Sequence, residues 1–80
     1  MGKKKRSISE VFWDNVCSEL EDRGETQQML NKYLNMSSYV SNSKNQGSIP
    51  KAPVIEKIAD YLCVDYYILF IDEENDTYPL

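Results

Sequence analysis

Histidine is missing from this 80-residue chain altogether, and cysteine appears only twice, at Cys17 and Cys63. The first absence removes the commonest general base near neutral pH. The second leaves too few ligands for a zinc site and points to two reduced, partly buried thiols. Glycine is scarce as well: Gly2, Gly24 and Gly47 stand alone, so there is no Gly-rich phosphate loop. No apolar run approaches the roughly 20 residues that span a bilayer. The basic start Lys3-Lys4-Lys5-Arg6 leads into polar Ser7-Ile8-Ser9-Glu10, where a signal peptide would be apolar. These absences predict a cytoplasmic protein that is not an enzyme and takes no metal, cofactor, small-molecule ligand or membrane.

Carboxylates are missing from one region only. The formal net charge is −4, which by itself argues against a polyanionic partner. Yet all thirteen acids fall in two blocks, six between Glu10 and Glu25 and seven between Glu56 and Asp76. The thirty residues from Thr26 to Ile55 hold Lys32, Lys44 and Lys51 and no acid, a local charge of +3. Residues 1–6 add a basic arm. Local field, not net charge, governs binding to a polyanion.

Helical spacing is plentiful. Ile8, Val11, Phe12, Val16 and Leu20 recur at the i, i+3, i+4 interval of an amphipathic helix, with Trp13 and Cys17 widening its stripe. Ser7 and Glu10 form a capping box at its start, and Gly24 ends it. Thr26 caps a second helix whose expected buried face is Met29, Leu30, Tyr33 and Leu34, with Asn35 suited to a left-handed exit. Ser37 is the expected cap of a third helix running to about Gln46 and ended by Gly47. That helix holds a single aliphatic residue, Val40, and such a polar helix is rarely stable alone. A connection of about three residues between helices two and three makes a helix-turn-helix over residues 26–47. Pro50 and Pro53 bracket the start of a fourth helix carrying Val54, Ile55, Ile58, Ala59, Tyr61 and Leu62. Asp65 can cap a short fifth helix with Tyr66, Ile68, Leu69 and Phe70. The expected layout is a basic arm at 1–6, one all-α domain at 7–71 and an acidic tail at 72–80. Phe12, Trp13 and Tyr61 are read as core.

The ordered set Thr26-Gln27, Leu30, Leu34, Met36-Ser37, Gly47, Ile49-Pro50, Ile58-Ala59, Leu62, Val64 and Leu69 resembles the phage repressor and Cro-like helix-turn-helix family. The resemblance spans roughly Phe12 to Phe70 and implies a five-helix, lambda-repressor-like bundle with its third helix in the DNA major groove. It also implies a phosphate contact for Gln27. The chain departs from the family at four places. Asn31 stands where alanine is usual, and Asn35 and Cys63 stand where glycine is favoured. Ser41 falls where a large aliphatic residue is expected, one place after Val40. Either the third helix is rotated or it begins one residue sooner.

Taken together, these features predict a DNA-binding transcriptional regulator, a repressor, acting on double-stranded DNA as a homodimer. Ser38, Tyr39, Asn42 and Ser43 are the expected base contacts, since hydroxyls and amides can pair with base edges. Thr26, Gln27, Lys44, Ser48 and Lys51 are the expected backbone contacts. The surplus apolar residues Tyr66, Tyr67, Phe70, Ile71, Tyr78 and Leu80 are the expected dimer surface. The alternative is a protein-interaction module with little DNA affinity.

Overall fold

A computed structural model describes residues 7–72; the basic arm at 1–6 and the tail beyond Asp72, including Tyr78 and Leu80, lie outside the described residues. The described chain is all-helical, with no strand. It runs α1 (Ile8–Asp22), α2 (Gln27–Leu34), α3 (Tyr39–Gln46) and α4 (Ala52–Leu62), then a 3₁₀ turn at Tyr66–Phe70. The expected fifth α-helix is therefore a single 3₁₀ segment. Five residues rich in aromatic and β-branched side chains make a poor α-helix. Asp65 gives it no side-chain cap, and its bonds are short-range, as from the Ile68 N–H to the Asp65 carbonyl at 3.0 Å.

α1 is the central element. Its Phe12, Trp13, Val16 and Leu20 are buried against Leu30 and Leu34 of α2, Val40 of α3, Ile58, Ala59 and Leu62 of α4, and Leu69. The capping box forms as expected: the Glu10 N–H donates to the Ser7 hydroxyl at 3.2 Å, and the Ser7 N–H to the Glu10 carboxylate at 2.9 Å. Thr26 caps α2, its hydroxyl accepting from the Met29 N–H at 3.2 Å. Each α-helix then ends on a left-handed residue: Gly24, Asn35, Gly47 and Cys63. A backbone bond back to the last turn closes each exit, such as Met36 N–H to the Asn31 carbonyl at 3.0 Å. Asn35 tolerates that conformation, whereas Cys63 takes it at a cost of roughly 1–2 kcal/mol. Asn15 ties the 3₁₀ turn to α1, its amide donating to the carbonyls of Leu69 and Ile71 at 2.9 and 2.8 Å.

Two expectations for α2 and α3 are corrected. Met29 and Tyr33 are not buried, being 46% and 50% exposed. An eight-residue helix needs only Leu30 and Leu34 to reach the core, and the neighbouring positions turn outward. The N-cap of α3 is Ser38, not Ser37; it is left-handed and makes no side-chain cap bond. The cap comes from another helix: buried Asn31 accepts the Val40 N–H on its Oδ1 at 3.0 Å. That bond gives a buried asparagine at this position a structural task. Asn31→Ala is expected to lower stability by about 1–2 kcal/mol through the orphaned donor. It should appear as a lower urea midpoint with an unchanged m-value. No loss would mean that another group receives the Val40 N–H.

Candidate nucleic-acid interface

Only Val40 and Ser43 of α3 are buried, and they lie three residues apart on one face. This fixes the orientation of α3: Val40 faces the core and Ser41 is exposed. Two of the four expected base contacts, Tyr39 and Ser43, are turned wholly or partly toward the core. Ser43 is buried beside Val40. Tyr39 is half-buried, packed on the core with its ring edge-on to Trp13 at 6.3 Å between centroids. Its first-turn position leans back toward α1, where the indole offers more apolar surface than water does. Ser38 and Asn42 remain exposed.

With Val40 inward, two residues outside the expected contact set, Ser41 and Asn45, share the outer face of α3. Ser38, Ser41, Asn42 and Asn45 are all exposed and follow the i, i+3, i+4, i+7 interval, forming one outward stripe. Ser41 and Asn45 were findable once Val40 was taken as the inward residue. The stripe carries hydroxyls and carboxamides and no charge.

Trp13 holds both ends of α3. Its face receives Tyr39 at the start, and its indole N–H donates to the Ser48 carbonyl at 2.8 Å just past the exit. The Ser48 N–H is also engaged, donating to the Ser43 carbonyl at 3.1 Å, so only its exposed hydroxyl remains for a partner.

Gln27 and Lys44, two expected phosphate contacts, meet at the half-buried thiol of Cys17 on α1. The Gln27 amide donates to Cys17 Sγ at 3.3 Å and the Lys44 ammonium lies 3.7 Å from it. The Ser41 hydroxyl reaches Gln27 Oε1 at 3.5 Å, linking this group to the outward stripe. Lys51 is exposed at the N-cap of α4, and Thr26 is exposed but uses its hydroxyl as an acceptor within α2. No acid stands in the first turn of α2, α3 or α4. The acid-free window is less clean in space than along the chain, however. Glu21 and Glu25 line a cleft with Cys17, Thr26 and Gln27. Glu25 is also engaged by Arg23, whose Nε lies 3.6 Å from its carboxylate, and by the Tyr61 hydroxyl. Burial and the neighbouring Glu25 carboxylate push the Tyr61 hydroxyl above its usual pKa.

Among the described residues no cluster of three or more His, Cys, Asp or Glu side chains could hold a metal, and no helix is long and apolar enough to cross a membrane. No family model, no curated protein and no solved structure matches the chain.

Proposed function

We propose that the protein binds double-stranded DNA sequence-specifically through α3, as a transcriptional regulator of the repressor kind. The outward stripe Ser38, Ser41, Asn42 and Asn45 carries this reading. α3 has one aliphatic anchor, Val40, and is otherwise held by Asn31 and Trp13 from two other helices. A helix so dependent on its neighbours, yet polar along its free face, suits a surface meant for a polar partner. Donor and acceptor groups at helical spacing match the edges of bases in a major groove. The lysines Lys44 and Lys51 at the two sides, and the lack of any carboxylate from Thr26 to Ile55, favour phosphates nearby. The four residues joining α2 to α3 agree with the resemblance to Cro-like regulators.

A single helix in one groove reads few base pairs, so the protein acts as a two-fold dimer with one helix per half-site. Tyr66, Tyr67 and Ile71, at 59%, 56% and 37% exposure, supply the apolar surface that a second copy would cover.

One observation favours a protein partner instead. Met29 and Tyr33 of α2 and Met36 just beyond its end are exposed apolar side chains, with the Tyr33 ring tilted against Tyr61 at 4.8 Å between centroids. Selection of bound duplexes from a random library separates the readings. DNA binding by a dimer is expected to enrich an inverted repeat with half-sites about 10 base pairs apart. A library that stays random after repeated rounds at low salt would sink the DNA reading in favour of the protein-interaction module.

A further inference from the structure

The chemistry of the outward stripe also names the bases it reads, an inference that rests on the DNA-binding reading of α3. We propose that the centre of each half-site is A·T, with adenines at neighbouring base pairs read by Asn42 and Asn45. A carboxamide offers one acceptor and one donor side by side. Adenine presents the complementary pair in the major groove, the N6 amino group as donor and N7 as acceptor. Guanine presents two acceptors, O6 and N7, and is met by the paired donors of arginine or by lysine. An asparagine set against guanine brings its own oxygen against O6.

Among the described residues, the cations that would read guanine are engaged by other groups. The chain has two arginines: Arg6 lies outside the described residues, and Arg23 follows α1. The Arg23 guanidinium donates to the Leu62 carbonyl at 3.2 Å and pairs with Glu25 at 3.6 Å. Lys44 is the one cation on α3, and its ammonium lies 3.7 Å from Cys17 Sγ on α1. Thymine's methyl group is left without a reader too, because the single aliphatic residue of α3, Val40, is fully buried. Along the stripe itself stand two carboxamides flanked by the hydroxyls of Ser38 and Ser41.

The spacing suits adjacent bases. Three residues of helix rise about 4.5 Å, and successive base pairs are about 3.4 Å apart. Asn42 and Asn45 therefore reach neighbouring pairs when the helix runs along the groove.

The test combines duplex selection with affinity measured by fluorescence anisotropy, using the wild type and the variants Asn42→Ala and Asn45→Ala. Both positions are exposed, and far-UV circular dichroism confirms that the variants fold. The wild type is expected to enrich neighbouring adenines, and guanine at either position should weaken binding roughly 5- to 150-fold. Each alanine variant should lose the preference at one of the two positions and keep it at the other. A half-site enriched in guanine at its centre overturns this inference while leaving DNA binding standing. So does an adenine preference untouched by either variant. Failure to enrich any sequence overturns the DNA reading itself, and this inference with it.

Discussion

Trp13→Ala is expected to cost about 3–5 kcal/mol, a large part of the roughly 5–15 kcal/mol that holds a small domain together. At about 4–8 °C per kcal/mol for a chain this size, the melting temperature should fall by about 12–40 °C. The side chain is 1% exposed and packs edge-on to Phe12 at 4.8 Å, so its removal leaves a cavity at the centre of the core. Two further losses add to the cavity. The Ser48 carbonyl loses its indole donor, and Tyr39 loses the ring it rests on. Trp13→Phe separates these effects: it keeps most of the packing, removes the hydrogen bond and should cost about 1 kcal/mol more than the area change alone. Thermal unfolding followed by circular dichroism reads both. A Trp13→Ala variant melting within about 5 °C of the wild type would show that α3 is held by something else.

The second large effect is electrostatic. Affinity for duplex DNA is expected to fall with salt at a log–log slope near −0.9 per phosphate contact. If Lys44 and Lys51 each meet one phosphate in both halves of a dimer, those four contacts give a slope of about −3.6. Between 50 and 200 mM salt, affinity should then fall about 150-fold from these residues alone. Lys44→Ala with Lys51→Ala should remove most of that dependence and weaken binding to all sequences alike, because phosphates carry no sequence. Both lysines are exposed, so the substitutions leave the core untouched. A slope that the double variant does not change would clear both residues of any role at the DNA backbone. The contrast with Asn42 and Asn45 is the useful one, since their loss should act on selected sites and spare random DNA.

Much of the fold was legible because its signals are local. The Ser7–Glu10 box, the Thr26 cap and the left-handed exits at Gly24, Asn35 and Gly47 each depend on residues within one turn. The stripes of α1 and α4 were equally plain, since each offers several large apolar residues at helical spacing and leaves one way to face the core. Ile8 of the expected α1 stripe fails to reach it, lying 60% exposed in the first turn. α3 gave no such signal. With Val40 as its lone aliphatic residue, the sequence allowed two registers, and it is these that differ over Tyr39, Ser41 and Ser43.

By itself, then, the sequence determined the four α-helices, their order, most of their boundaries and the acid-free segment that contains α2 and α3, but it also predicted a fifth helix where the chain makes a 3₁₀ turn. Tertiary structure alone decided the face of α3. Asn31 and Trp13 lie nine or more positions from the groups they hold, the Val40 N–H and the Ser48 carbonyl, and no local pattern encodes those pairings. A polar helix takes its orientation from whichever neighbours satisfy its backbone ends, because it has too little apolar surface to choose one for itself.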